Sequence, residues 1–454
     1  MKSAHYRKEN QSKINKIKSK GGSDEQQSNT NDKPVSKSVM AKITIIDGIC
    51  GSGKSQGMIK LMKEQSYKKW ICFTQFIGEC HRYAGTTQIS KDNDEPKKYK
   101  DGTLIYNEPS EFNCSELQFK HPLRKGRGHK KEHLKTLIEQ RENIVTTHQM
   151  LTQLGSDIQE LISELSYVAV LDEVVEPIQE YHITPNNRRE LFEHQYVYLA
   201  DDGITLCWNY EKYPDRKQGD NFYKEKQLID TNNLILLDGT LYLWEMSESL
   251  FNSFTEVYIL TYQFEGSPLM WFFNAKGIKY EVQHKPKPNI KYGDLINIIE
   301  DDRLNSIGDS QNFLSSNRTK KLTQGEIRDL KAIMNQLRKR VWTNADSRMW
   351  TCLGSAKDDL GVDGWKKSFV QFNIRGSNEY RHVENCAYLF NVFLNPNIVK
   401  YFKKFDVSVD EDTYALNSLL QWLFRSRLRD GKPISLYIPS KRMRELLKEW
   451  CKHN

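Results

Sequence analysis

Residues Ala41–Met62 read AKITIIDGICGSGKSQGMIKLM, and this stretch limits the possible folds more than any other. The β-branched run KITIID stops at glycines, and KSQGMIKLMKEQ beyond them has helical spacing. Gly48-Ile-Cys-Gly51-Ser-Gly53-Lys54-Ser55 satisfies GxxxxGK followed by Ser or Thr. A strand that enters a helix through such a loop turns backbone N–H groups inward around an anion. The glycines allow the tight path, the lysine reaches terminal phosphates, the serine hydroxyl suits Mg2+, and the helix N-terminus adds partial positive charge. The chain is therefore expected to hold a nucleotide with Gly48, Gly51, Gly53, Lys54 and Ser55. ATP with Mg2+ is the default, because no base-reading motif accompanies the loop.

A loop of this kind specifies a ligand, not a reaction. The stretch YVAVLDEV supplies the rest: a buried run that ends in Asp172 and Glu173. Asp172 suits Mg2+ together with Ser55. Glu173 suits the polarisation of an attacking water, which is general-base work. An adjacent acid pair at a strand end points to hydrolysis of the nucleotide rather than to phosphoryl transfer onto a small acceptor.

The chain has 454 residues, enough for two or three domains. Residues 1–39 are rich in Lys, Ser, Asn and Gln and carry too few apolar side chains to form a core, so a disordered basic tail is expected. From residue 40 to 265, short apolar runs alternate with helical stretches: KITIID, KWICFTQF, ENIVTTHQML, SYVAVLDEV and NNLILLDGTLYLWEM. Such runs between helices predict a parallel sheet covered on both faces. From 266 to 454 the pattern restarts, with strand candidates at Ser347–Gly354, Ser368–Ile374, Cys386–Phe393 and Pro433–Pro439 and a helix over Glu326–Trp342. His284–Lys321 reads as a polar connector with little regular structure.

The order of these segments resembles the superfamily 2 (DEAD/DEAH-like) helicases, closest to those of phages and mobile elements. The resemblance spans about residues 41–450. The loop stands for motif I, FTQFIGECHRYAG for motif Ia, IVTTHQML for motif Ib, LDEV for motif II and LLDGTL for motif III. QWLFRSRLRDG resembles motif VI, with Phe424 where that pattern has glycine. The family fold implied is α/β, with two RecA-like P-loop domains whose parallel sheets flank an interdomain ATP cleft. By the same resemblance, Gln421 contacts the nucleotide and Arg425 or Arg429 stabilises the transferring phosphoryl group, on one helix face if the helix continues. Thr240 couples the domains. Thr74, Thr146, Thr147 and His148 contact a nucleic acid, and Arg375, Asn378 and Glu379 fall where motif V lies.

The net charge of +8 is concentrated near the N-terminus and in HPLRKGRGHKKEHLK, where Lys125–Lys131 add to a polyanion-binding surface. Single-stranded or forked DNA is the expected partner. No apolar run approaches the roughly 20 residues of a membrane span, and the N-terminus is not signal-like, so a cytoplasmic protein without a membrane partner is expected. The eight cysteines form no CxxC pair and read as free thiols. The expected activity is ATP-dependent helicase or translocase action in phage or mobile-element DNA replication. The competing readings are an ATP-gated DNA loader that does not unwind, and a packaging-type motor ATPase.

Overall fold

The computed structural model describes residues 40–86, 107–110, 112–123, 130–214, 216–217, 219–286, 288–373 and 379–454. The tail over 1–39, residues 125–129 of the basic stretch, Arg375 and Asn378 lie outside them.

Two parallel sheets organise the fold. The first contains β1 (Lys42–Asp47), β2 (Lys69–Thr74), β3 (Ile144–Thr147), β4 (Tyr167–Asp172), β5 (Glu256–Thr261) and β6 (Glu281–His284). Its spatial order is β6-β1-β5-β4-β2-β3, with every pairing parallel. Successive side chains alternate between faces. Ile43, Ile45, Ile71 and Phe73 join one core, and Ile46, Trp70 and Cys72 join the other. Burial on both faces explains why these strands read as unbroken apolar runs.

The second sheet holds β7 (Ile296–Ile298), β8 (Arg348–Cys352), β9 (Asn385–Leu389) and β10 (Ile434–Tyr437), in the order β7-β10-β9-β8, again all parallel. The amphipathic helix Gln324–Arg340 buries Leu330, Ile333, Met334 and Leu337 against one face. A reciprocal Thr323–Glu326 capping box fixes its start. Leu419, Leu420 and Met443 from two other helices cover the opposite face. The chain is thus mixed α/β, as expected, with a parallel sheet in each half.

Four details depart from the sequence reading. The first sheet does not end at residue 265. Helix Pro268–Lys276 packs into its core and β6 pairs with β1, so the change of sheet falls between His284 and Ile296. Helix Pro396–Lys404 also returns to the first core, where Phe402 meets Trp271 edge-on with ring centroids 5.6 Å apart. The expected connector carries β7, an edge strand too short to stand out by pattern. Ser368–Ile374 forms no sheet strand over its described residues, only a bridge from Phe369 to Trp350.

A further departure concerns Thr240. LLDGTL is an antiparallel hairpin between Leu234–Leu237 and Leu241–Glu245, in a small sheet inserted between β4 and β5. Asp238 and Gly239 both have positive φ, 50° and 68°, as tight hairpin turns require. Thr240 is exposed at this tip. The strand that runs between β1 and β4 is β5, which sequence inspection missed, and its last residue is Thr261.

Candidate nucleotide site between the two halves

β1 ends at Asp47, and the loop that follows enters helix α1 (Lys54–Glu64). Gly51 and Gly53 have φ of 92° and 77°, which side chains with a Cβ rarely adopt. Helix α1 has no side-chain cap at Gly53 and no acid in its first turn. Its N-terminal amides are therefore uncompensated donors, the usual basis of an anion site. Lys54 Nζ donates to the carbonyls of Gly48 and Ile49, the latter at 3.2 Å, which keeps the ammonium at the loop mouth.

The acid pair lies where the chemistry needs it. Ser55 Oγ is 3.3 Å from both Asp172 carboxylate oxygens, although they are far apart in sequence. Two hard oxygen ligands side by side fit Mg2+. Tyr83 of helix α2 (Ile77–Ala84) donates to Asp172 Oδ2 at 2.8 Å and fixes its orientation. Burial, then the neighbouring Glu173, raises the Asp172 pKa. Glu173 is left-handed, with φ 78°, and its N–H donates to Leu260 O at 2.9 Å. A non-glycine residue held there costs about 1–3 kcal/mol, a form of strain that clusters at functional sites. The twist turns Glu173 out of the strand into the cavity.

That cavity, about 400 Å3, is lined by residues of both halves: Lys54, Ser55, Asp172 and Glu173 face Arg425 and Arg429. Its volume is in the range of small-molecule sites. The arginines do not share a helix face. Helix α3 (Glu411–Leu423) ends with Phe424 as its cap, and Arg429 stands on a separate 3-10 turn, Arg427–Asp430. The chain folds back over the loop, and a Cβ on Gly51 would lie 3.1 Å from Arg429 Cγ. Arg425 is 3% exposed, and its Nη2 lies 3.9 Å from Glu173 Oε1. Its Nε and Nη2 have no hydrogen-bond partner among the described residues. Burial, with repulsion from Arg425, Arg381 and Arg82, lowers the Arg429 pKa, and Cys50 opposes them. Arg425 and Arg429 thus set two guanidinium groups opposite the loop and the acid pair, where a polyphosphate would lie between the two walls. These groups fit ATP with Mg2+.

Sequence inspection missed Glu79 and Arg82 of α2, which also line the cavity. Burial, then Asp172 and Glu173, push the Glu79 carboxyl up to about 8. The segment stands for motif Ia in the sequence reading, which assigns neither residue a role, and only the fold brings both to the acid pair.

Gln421 stands apart. It lines a separate crevice with Thr261, Gln263, Tyr414 and Asn417, under the exit of β5, and not the cavity of Lys54. The Thr74 hydroxyl is buried and donates to Phe76 O at 3.0 Å, and Thr146 is 2% exposed. Both side chains are interior, so neither is available to a strand crossing the surface. Thr147 is half-buried, and His148 opens onto a groove of about 560 Å3 with Gln75, Gln149, Lys224 and, from the second half, Asn373. All eight cysteines are free, and among the described residues no cluster of His, Cys, Asp and Glu suits a metal held by protein alone. No described helix is long and apolar enough to cross a membrane.

Comparison with known proteins adds three findings. The SPbeta prophage-derived uncharacterized protein YonV of Bacillus subtilis (strain 168) is 29% identical over 434 residues, covering 91% of this chain and 100% of that protein. The solved structure of S. tokodaii Xpd4 aligns over 90% of this chain and 94% of that one, with 10% identity and a TM-score of 0.48. Residues 290–451 match the family model described as the YonV C-terminal Rossmann-like domain, which coincides with the second sheet and its helices.

Proposed function

We propose that this protein is an ATP-dependent nucleic-acid translocase or helicase acting on DNA. The observation that carries the reading is the cavity whose one wall holds Lys54, Ser55, Asp172 and Glu173 and whose other wall holds Arg425 and Arg429. A nucleotide site divided between two halves responds to its ligand by closing, and hydrolysis reverses that response. Lys54 and the α1 amides bind the phosphates. Ser55 and Asp172 would hold Mg2+, which supplies charge neutralisation for the phosphates. Glu173 accepts a proton from water, and the ion pair keeps Arg425 beside it. Arg425 and Arg429 offset charge on the transferred group.

A nucleic acid is the cargo this reading assigns. The groove beside His148 and Gln75 is lined from both halves, so a strand lying there would sense their relative movement. The prophage origin of the Bacillus relative supports a setting in phage or mobile-element DNA metabolism. The test is ATP hydrolysis with and without single-stranded and forked DNA, in wild type and Lys54→Ala. Stimulation in wild type and its absence in the variant are expected. Hydrolysis that no DNA or RNA stimulates would refute the nucleic-acid part.

A further inference from the structure

We propose that Lys285, the residue after β6, is a further nucleotide-binding residue, its ammonium directed to the α-phosphate of a nucleoside di- or triphosphate. This rests on the reading that the loop binds such a nucleotide. β6 pairs in parallel with β1 through Asp47 and His284, and the Lys285 N–H continues the ladder to Asp47 O at 2.7 Å. The side chain then lies flat on the loop. A Cβ on Gly48 would come within 2.7 Å of Lys285 Cβ and 3.1 Å of its Cγ. The ammonium reaches the first turn of α1, where a Cβ on Gly57 would be 3.3 Å from Nζ.

That is a poor position for a cation without an anion. The N-terminal turn of a helix carries partial positive charge, so an ammonium beside it is repelled. Among the described residues no carboxylate lies within 4.0 Å of it. The sheet order identifies which phosphate is concerned. The acid pair at the end of β4 lies on one side of β1, beyond β5, and Lys285 lies on the other, at β6. The bond that breaks faces the acid pair, so the nucleoside end faces Lys285. An open hollow of about 440 Å3, lined by Gly53, Gln56, Gly57, Lys60 and Lys63, shares Gly57 with the Lys285 ammonium and is the space this proposal assigns to the nucleoside. Gly57 itself leaves room for Lys285 to approach.

Contact with the part of the nucleotide common to ATP and ADP acts on binding and not on the chemical step. The test measures the affinity of a fluorescent ADP analogue, together with KM and kcat for ATP, in wild type, Lys285→Met, Lys285→Arg and Lys54→Ala. Lys285→Met should weaken ADP binding and raise KM by about tenfold, the scale of one hydrogen bond to a charged group, with kcat within about twofold. Lys285→Arg should restore most of the affinity. Where the Met variant fails to fold, Lys285→Gln takes its place. Unchanged ADP affinity and KM in the variant, with wild type active and Lys54→Ala inactive, would overturn this proposal alone. A wild type that neither binds ADP nor hydrolyses ATP would overturn the parent reading and this one with it.

Discussion

Glu173 is where backbone, charge and chemistry meet. Its positive φ aims the carboxylate into the cavity, and Arg425 lies beside it. As the base for water, it is expected to lose kcat by about 10²–10⁴ in Glu173→Gln, the usual contribution of a positioned base. ADP affinity should stay within a few-fold, because the phosphate contacts lie on the loop. Rates measured beside a binding titration check this. Glu79 gives a pH prediction. Its folded pKa of about 8 lies above its ordinary value of 4.5. The native state therefore keeps a proton that the unfolded chain releases between those values. Its contribution is whole below about pH 4.5 and is lost as the pH rises towards about 8. In metal- and nucleotide-free protein, Glu79→Gln should raise Tm relative to wild type above pH 8 and give no gain near pH 4.5.

At the scale of elements, the exit of β5 joins the two halves. Asp47, at the base of the loop, accepts hydrogen bonds from the N–H groups of Gln263 (2.8 Å) and Phe264 (3.1 Å). Asn417 of α3 donates to Gln263 O at 3.1 Å and Glu265 O at 3.2 Å, and Tyr262 meets Phe424 edge-on. A continuous set of contacts thus runs from the loop to the helix that delivers Arg425. Asn417→Leu leaves those carbonyls unpaired. It should lower stability by about 1–3 kcal/mol and reduce DNA stimulation of hydrolysis more than basal hydrolysis. Thr240→Ala, at an exposed hairpin tip, should change neither, as melting curves and stimulated rates would record. The contrast also explains what the sequence revealed. The loop and the Asp172–Glu173 pair were legible because their chemistry depends on local spacing. Thr240 was misplaced because a buried antiparallel hairpin and a buried parallel strand have the same apolar pattern. Glu79 and Lys285 were invisible as site residues because only sheet order brings them to the loop. The positions of Arg425 and Arg429 were anticipated, but they arise from a chain reversal after α3 and not from helical periodicity.

For the whole molecule, the central claim is that neither half alone is a hydrolase. On the proposed reading the first half supplies phosphate binding and the base, and the second supplies the positive charge that faces them. Among the described residues, two guanidinium nitrogens of Arg425 have no hydrogen-bond partner, and Arg429 rests on Gly51. Supplied arginines of this kind contribute about 10³–10⁵ to kcat in nucleotide hydrolases. The most direct measurement is single-turnover ATP hydrolysis on saturating single-stranded DNA, for wild type, Lys54→Ala, Arg425→Ala and Arg429→Ala, beside ADP affinity. The account predicts that Lys54→Ala loses hydrolysis. It also predicts that at least one arginine variant falls by about 10³ or more while still binding ADP. Wild-type hydrolysis in both arginine variants, or hydrolysis indifferent to Lys54, would contradict it.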